Sequence, residues 1–348
     1  MFKAGRSAYE SIRKHGFSPA SIGTIAGASG GAKWLVLSQL DRVIFQDIVP
    51  RLRGPVHLIG SSIGAWRFAC YAQSDPASAI ARFEAAYLEQ RYSVKPDIAE
   101  ITAKTREILT QVLGVNGVAE ILSNPVFRPH IVVVRARHLA SSEQPLLLGT
   151  SLLAAAVLNA LNRKTLNLFF ERTLFSDPRD ASPSYSASKF PTQRVALSTS
   201  NLENSIVASG SIPLVLKGVR DIAGAVPGVY RDGGIIDYHL DLPQSAPDRL
   251  ALYPHFYDHV VPGWFDKKLP WRSAGPANLE RTILISPSRE FISRLPNGKI
   301  PDRTDFRYFT HENRLRAWRG AVAACKELAD ELHEVIATDR LPARVLPL

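Results

Sequence analysis

One serine in the chain lies in a pattern that is typical of a catalytic nucleophile. Residues 60–64 read G-S-S-I-G, a G-x-S-x-G pattern that directly follows the apolar run at 56–59. Between a strand and a helix, this pattern is typical of a nucleophile elbow, a tight turn that exposes the central serine. A side chain at Gly60 or Gly64 would collide with the flanking strand or helix. The pattern predicts Ser62 as the nucleophile of a serine acyl hydrolase.

A serine hydroxyl is a weak nucleophile until a base accepts its proton, and the sequence offers two kinds of base. Asp232 precedes Gly233 and Gly234, and two glycines after an acid form a turn that can present the carboxylate to a cleft. The same three residues also occur in ordinary hairpin turns. The alternative is a histidine, as in a Ser-His-Asp triad. Four histidines follow Ser62 and fit the chain order of such a triad: His239, His255, His259 and His311.

Donors for an oxyanion are predicted at two loops. The glycine-rich residues 27–31 follow one strand, and the elbow follows the next. In a parallel sheet both loops emerge at the same edge. N–H groups at three residues can then stabilise a tetrahedral intermediate: Gly30, Gly31 and Ile63. The first loop does not fit a phosphate-binding loop, because Walker A requires Gly-Lys-Ser/Thr where this chain has A-K-W at 32–34.

The order of the predicted elements is that of an α/β protein with a parallel sheet. The predicted strands are 21–26, 56–59, 130–136, 165–175, 194–199 and 281–285. The predicted helices are the first fifteen residues, 33–45, 63–72, 77–91, 98–112, 151–161 and 312–336. Residues 238–273 are rich in proline and aromatic residues, which predicts an irregular, partly packed loop. The sequence shows no linker, so we expect one domain over 1–348, with a core at about 20–240 and a C-terminal extension at about 241–348 packed on it.

Composition narrows the class of protein further. Of the 348 residues 45% are hydrophobic and 21% charged, which is enough for a substantial core. Cys70 and Cys325 have no disulfide or metal-ligand spacing and predict buried thiols in a reducing compartment. The N-terminal residues have no apolar segment of a secretory signal, and no run is long enough to cross a membrane. These features predict a cytoplasmic protein.

The net charge of +10 favours anionic partners. The basic residues are dispersed, which argues against nucleic acid and leaves peripheral contact with an anionic membrane surface. The spacing of four residues near the aromatic region fits no known metal site, so we expect no metal there: His239, His255, Asp258 and His259.

In motif order and spacing, residues 22–238 resemble the patatin-like phospholipases. That family has a glycine-rich loop of the form D-G-G-G-x-(K/R)-G, then G-x-S-x-G, then D-G-G or D-G-A. This chain has A-S-G-G-A-K-W at 28–34, the elbow at 60–64 and D-G-G at 232–234. Residues 208–213, A-S-G-S-I-P, are similar to the A-S-x-A-x-P stretch that precedes the family's aspartate.

The resemblance implies a three-layer α/β/α fold with a mostly parallel central sheet and hydrolysis of the acyl esters of lipids. It implies a Ser-Asp dyad without a catalytic histidine or a cofactor, with Ser62 as nucleophile, Asp232 as general base and the loop around Gly30 and Gly31 as oxyanion hole. The chain departs from the first motif at Ala28, Ser29 and Trp34. Two alternatives stay open: an α/β-hydrolase or acyltransferase with a Ser-His-Asp triad, and a lipid-binding protein with impaired catalysis.

Overall fold

Short β-branched and apolar runs form the strands of one central sheet. The computed structural model describes residues 2–180, 190–242, 246 and 248–348. The strands are β1 Phe2–Ala4, β2 Ile22–Gly27, β3 Val56–Ser61, β4 Phe127–Ala136, β5 Phe170–Ser176, β6 Thr192–Ala196, β7 Val219–Arg220, β8 Val229–Asp232, β9 Leu250–Pro254, β10 Thr282–Ile285 and β11 Val345–Pro347.

Helices flank this sheet. They are α1 Arg6–His15, α2 Ser38–Val43, α3 Ile63–Tyr71, α4 Pro76–Leu88, α5 Ile98–Leu113, α6 Gly117–Ser123, α7 Pro145–Leu161, α8 Leu202–Ser209, α9 Arg289–Arg294, α10 Asp305–Tyr308, α11 His311–Ala324, α12 Lys326–Ala337 and α13 Leu341–Arg344. Within the described ranges, no helix combines the length and the apolar character needed to span a bilayer.

The sheet is mostly parallel, in the order β11-β1-β10-β9-β2-β3-β4-β5-β6. Neighbouring strands from β10 to β4 run parallel to one another. Strand β1 is antiparallel to β10, and β5 is antiparallel to β4. The predicted class, a mixed α/β fold with a mostly parallel central sheet, is confirmed.

Strand β4 is long enough to pair with two strands in succession along one edge. Its first part pairs in parallel with β3, up to Ser61 opposite Val132. Its last part pairs antiparallel with β8, which ends with Asp232 opposite Val133. Because β5 lies along the other edge beside both stretches, β3 and β8 approach each other end to end. This pairing places the elbow after β3 next to the Asp-Gly-Gly turn after β8.

The interpretation of 238–273 as an irregular loop is wrong at 250–254. These residues form β9, which lies between β2 and β10 and is parallel to both. All five residues of β9 are buried, and a strand buried on both faces lacks the alternation of polar and apolar residues that identifies half-exposed strands. Residues 243–245 and 247 of the predicted loop lie outside the described part of the chain.

Other predicted elements differ in extent. The predicted helix at 33–45 is a 3₁₀ helix over Gly31–Leu37 that continues into α2. The predicted strand at 165–175 begins only at Phe170, after the 3₁₀ turn Arg163–Leu168. The long helix at 312–336 is divided at Cys325 into α11 and α12. Strand β8 and helix α8 were not predicted.

A second, smaller hydrophobic cluster lies apart from the main core. It joins the inner side of α7 to β4, β5 and the 3₁₀ turn Gly233–Ile235 that follows Asp232. Its buried members are Val134, Ala136, Ala140, Ala155, Leu166, Phe170, Phe190, Ile235 and Ile236. This cluster connects α7 directly to the turn that carries the candidate base.

Candidate active site

The elbow holds Ser62 in a strained backbone conformation. Ser62 has φ 53° and ψ −126°, a left-handed conformation that is rare for residues other than glycine. It follows the last residue of β3 and precedes α3. A Cβ atom at Gly64 would overlap the carbonyl group of Gly27, and one at Gly60 would clash with the backbone of Ala65. The close approach of these backbone segments explains both glycines of the pattern.

The structure brings Ser62 and Asp232 into direct contact. The Ser62 Oγ donates a hydrogen bond to Asp232 Oδ2 at 2.7 Å. The other carboxylate oxygen, Oδ1, accepts the Gly234 N–H at 2.7 Å, so the turn after β8 fixes the carboxylate. Ser62 is 6% exposed and Asp232 is 7% exposed. The two side chains therefore form a hydrogen-bonded pair with little access to bulk water.

Burial raises the pKa of Asp232 to about 6. The hydrogen bonds from Ser62 and Gly234, and then the charges of Lys267 and Arg303, act in the opposite direction and limit the rise. A carboxylate with a pKa near 6 is ionised at neutral pH and is a stronger base than an exposed aspartate. The arrangement can accept a proton from the Ser62 hydroxyl.

Residues 208–213 accept hydrogen bonds from the backbone N–H groups of both Ser62 and Asp232. The Ser209 Oγ accepts the Ser62 N–H at 2.8 Å and donates to the Val132 carbonyl at 2.7 Å. The Ser211 carbonyl accepts the Asp232 N–H at 3.1 Å. The similarity of residues 208–213 to a family motif does not by itself indicate a role for Ser209. Nothing in the local pattern indicates a hydrogen bond across 147 positions.

The glycine-rich loop lies beside this pair. The Ser29 N–H donates a hydrogen bond to the Tyr238 carbonyl at 2.8 Å, and the Ser29 Oγ donates to the Ser61 Oγ at 3.0 Å. Gly30 is extended, and a Cβ at this position would lie 2.6 Å from the Phe256 ring. Gly31 is left-handed, with φ 56°. This loop therefore needs glycine for two different reasons, a close approach at Gly30 and a positive φ at Gly31.

Two N–H groups near Ser62 are free to bind an oxyanion. Ile63 is the first residue of α3, and the first N–H groups of a helix have no partner within it. In the part of the chain that the structure describes, neither the Ile63 N–H nor the Gly30 N–H has an acceptor. These two groups and Gly31 are the donors that the sequence predicts for an oxyanion hole.

Positive side chains surround the approach to Asp232. Lys33 follows the glycine-rich loop and forms an ion pair with Asp302. The Lys267 Nζ lies 4.0 Å from the centroid of the Tyr238 ring. Burial of the amine, and then the charges of Lys33 and Arg303, lower the pKa of Lys267 to about 8. The charges of Lys267 and Arg303 also act on the Asp232 carboxylate.

The four candidate histidines have other partners. His239 and His255 are fully buried, and their Nδ1 atoms accept the N–H groups of Val261 and Tyr257. Burial lowers the pKa of both rings, that of His255 to about 3. His259 contacts Asp258, and His311 contacts Arg314. Among the described residues, the hydrogen-bond partner of the Ser62 hydroxyl is Asp232 and not a histidine.

His239, His255, Asp258 and His259, whose spacing fits no known metal site, are not arranged as a group that could hold a metal ion. Within the described ranges, no group of three or more His, Cys, Asp or Glu side chains is arranged to hold a metal ion.

Among solved structures, the chain is similar to two proteins of low sequence identity. No protein-family model matches the chain, and no curated protein matches it. VipD from Legionella pneumophila has 11% sequence identity and a TM-score of 0.36, over 89% of this chain and 67% of VipD. The type III effector protein ExoU has 13% identity and a TM-score of 0.31, over 94% of this chain. The chain spans 61% of the length of ExoU. At these TM-scores, the likenesses carry no argument about function.

Proposed function

We propose that this protein is a serine acyl hydrolase of the lipase or phospholipase type, similar to the patatin-like phospholipases. The observation that carries the proposal is the 2.7 Å hydrogen bond from the Ser62 hydroxyl to a buried carboxylate of raised pKa. A strained serine between a strand and a helix, paired with a base, is the arrangement that nucleophilic catalysis requires.

The proposed reaction has two steps and needs no cofactor. In the first step, the Ser62 Oγ attacks the ester carbonyl carbon while Asp232 accepts the hydroxyl proton. N–H groups of Gly30, Gly31 and Ile63 stabilise the oxyanion, and the alcohol leaves with the proton from Asp232. In the second step, a water molecule gives a proton to Asp232 and attacks the acyl-enzyme. The acid product is released, and Ser62 regains its proton.

The proposed substrates are acyl esters of lipids. Two positive side chains that act on Asp232, Lys267 and Arg303, support esters with an anionic group, such as a phospholipid. Peripheral contact with an anionic membrane and a cytoplasmic location belong to the same proposal. The net charge of +10 supports the first, and the buried free thiols of Cys70 and Cys325 support the second.

Two rival functions make different predictions. A Ser-His-Asp hydrolase or acyltransferase requires a histidine at the serine, whereas the four histidines contact other groups. A lipid-binding protein with impaired catalysis requires a defective oxyanion loop. Free N–H groups at Gly30 and Ile63 argue for a working loop in spite of the changes at Ala28, Ser29 and Trp34.

The test is turnover of a short-chain p-nitrophenyl ester, with labelling by a fluorophosphonate probe. We expect Ser62→Ala and Asp232→Ala to lower kcat at least about 10³-fold, and Ser62→Ala to abolish labelling. Ser205→Ala is the matched control, since it removes a buried serine hydroxyl that bonds to the Leu202 carbonyl, and it should keep most of the activity. Lipid binding without labelling of the native protein would favour the lipid-binding protein.

The pH dependence of the same assay distinguishes the bases. We expect kcat/KM to rise with pH to a plateau, with a midpoint near the Asp232 pKa of about 6, because only the ionised carboxylate accepts a proton. Variants in which one histidine, at 239, 255, 259 or 311, is replaced by alanine should show the same rise of kcat/KM with pH. Activity that survives in Asp232→Ala but is lost in one histidine variant would show a histidine base instead.

A further inference from the structure

Helix α7 exposes large apolar side chains that a surface helix ordinarily buries. Its sequence, P-L-L-L-G-T-S-L-L-A-A-A-V-L-N-A-L, contains no charged residue. The buried side includes two polar residues, Ser151 and Asn159, whereas four large apolar side chains are more than half exposed. These are Leu146 at 77% exposure, Leu153 at 66%, Val157 at 56% and Leu161 at 80%. A surface helix normally buries such residues, so this side requires a partner.

The turns packed against α7 extend this surface. Leu139 and Leu168 lie in the 3₁₀ turns before and after the helix and are 50% and 58% exposed. The 3₁₀ turn Trp264–Lys268 also packs against α7, with Trp264 38% exposed, and Trp271 follows at 66%. We call these residues together with the outer side of α7 the α7 face. Other large exposed apolar side chains, such as Val94 and Val115, come from separate elements.

Two exposed lysines lie on the 3₁₀ turns that carry the α7 face. Lys164 and Lys268 are exposed and, within the described residues, form no ion pair. The neighbouring acid, Asp266, is buried and is neutralised by Arg163 and Arg272. Leucines on one side, tryptophans at the edge and lysines around them are typical of segments that lie in the interface of an anionic bilayer.

The α7 face lies close to the candidate active site. The inner side of α7 packs on Ile235 and Ile236, which directly follow the Asp-Gly-Gly turn. On the same 3₁₀ turn as Trp264, Lys267 contacts the ring of Tyr238, whose carbonyl binds Ser29 of the glycine-rich loop. A bilayer in contact with the α7 face would therefore lie beside the approach to Ser62.

We propose that the α7 face docks the protein on an anionic lipid bilayer, from which it takes its substrate. The docking stands on the apolar surface and its lysines, and only the delivery of substrate rests on the proposed function. A second copy of the chain fits the same face less well. In a two-fold dimer through this face, the unpaired lysines of both copies would be brought together without acidic partners.

The test is co-sedimentation with lipid vesicles, using a Ser62→Ala background so that the lipid is not consumed. Vesicles of phosphatidylglycerol with phosphatidylcholine are compared with phosphatidylcholine alone. We expect Leu153→Glu/Val157→Glu to weaken partitioning at least about tenfold, because charge is placed where apolar side chains enter the interface. The matched control Val94→Glu/Val115→Glu adds the same charge at two valines that are each 99% exposed, and should bind as the parent does.

A second variant tests the charge separately. Lys164→Gln/Lys268→Gln should weaken binding to the anionic vesicles by about fivefold per lysine and leave the apolar surface intact. Circular dichroism and the thermal unfolding midpoint verify that each variant is folded.

The outcomes separate this inference from the proposed function. Vesicle binding unchanged by Leu153→Glu/Val157→Glu would overturn the docking surface. A dimer seen by light scattering that this variant dissociates, without vesicle binding by the parent, would overturn it in favour of self-association. If the protein with its native Ser62 binds vesicles but hydrolyses no p-nitrophenyl ester, the docking surface is supported and the proposed hydrolase function is refuted. If the protein hydrolyses the ester but binds no vesicles, the hydrolase function is supported and the docking surface is refuted.

Discussion

The two halves of the candidate site are held in different ways. Ser62 is positioned mainly by its own neighbours in the chain, strand β3 before it and helix α3 after it. Asp232 depends on distant segments, since its strand pairs with β4 and its N–H binds the Ser211 carbonyl. The serine is therefore placed by a local turn, whereas the acid is placed by the assembled sheet.

A buried ion pair supports each half. Below the elbow, the Arg67 Nε of α3 contacts Asp41 Oδ2 of α2 at 3.0 Å, and the Tyr71 hydroxyl also donates to Asp41. Beside the acid, Arg172 of β5 binds both oxygens of Asp237 at 2.6 Å. The Asp237 N–H in turn binds the Gly233 carbonyl, next to Asp232. Of these two pairs, only the second acts on the turn that carries Asp232.

Removal of the carboxylate of Asp41 or of Asp237 is the change that we expect to lower the free energy of unfolding most. Asp41→Ala and Asp237→Ala each leave a buried arginine without its carboxylate, which costs about 3–5 kcal/mol. Urea unfolding of both variants measures this cost. The two variants should differ in activity under conditions where both are folded. Asp237→Ala should slow fluorophosphonate labelling by about 100-fold, because the turn that carries Asp232 shifts, whereas Asp41→Ala should leave labelling within about threefold.

The matched controls are Asp41→Asn and Asp237→Asn, which keep the shape and remove the charge. Equal labelling rates in folded Asp41→Ala and Asp237→Ala would contradict the view that Ser62 is placed by a local turn and Asp232 by the assembled sheet.

The same difference explains which part of the site the sequence could predict. Gly60, Ser62 and Gly64 lie within five residues, so their pattern carries the geometry of the elbow. The contact with Asp232 depends on the pairing of β8 with β4, across a separation of about a hundred residues, and β8 itself has no strong strand pattern. Its prediction needed the resemblance to a family, because no local rule connects the two motifs.

The fold shows the same limit at two other places. The parallel class was predictable because glycine loops alternate with apolar strands and helices. Strand β9 was not, because its buried sequence L-A-L-Y-P lies within a proline-rich and aromatic stretch. Helix α7 was predicted from 151 and in fact begins at Pro145. Its outward leucines were invisible in the sequence, since a helix that is apolar all round does not show which side is buried.

Replacement of Asp232 by asparagine should stabilise the folded protein. The pKa of Asp232 is about 6 when folded, against an ordinary value of 3.8, so ionisation disfavours the folded state. This cost is absent below the unfolded pKa, grows as the pH rises from about 4 to 6, and is constant above that range. Asp232→Asn removes the charge and keeps the shape, so we expect a gain of about 1–3 kcal/mol at pH 8 and little gain at pH 4. Urea unfolding at both pH values measures it.

Ser62→Ala is the control for that gain. We expect Ser62→Ala to remove the same proposed activity and to leave the carboxylate buried and ionised, with one hydrogen bond fewer. Ser62→Ala should therefore not be stabilised at pH 8. A gain of equal size in Ser62→Ala, or one in Asp232→Asn that does not depend on pH, would refute this origin of the effect.

The smallest effect tests the link between the two halves. Ser209→Ala removes the acceptor of the Ser62 N–H and the donor to the Val132 carbonyl, and should cost about 1 kcal/mol of stability. Because the elbow then loses its fixed orientation toward Asp232, kcat should fall by about tenfold with little change in KM. Ser205→Ala is the matched control, since this buried hydroxyl of the same helix α8 donates to the Leu202 carbonyl of its own helix. A similar loss of kcat in both variants would show that α8 acts through general packing, whereas a loss confined to Ser209→Ala would show that this hydroxyl aligns the nucleophile.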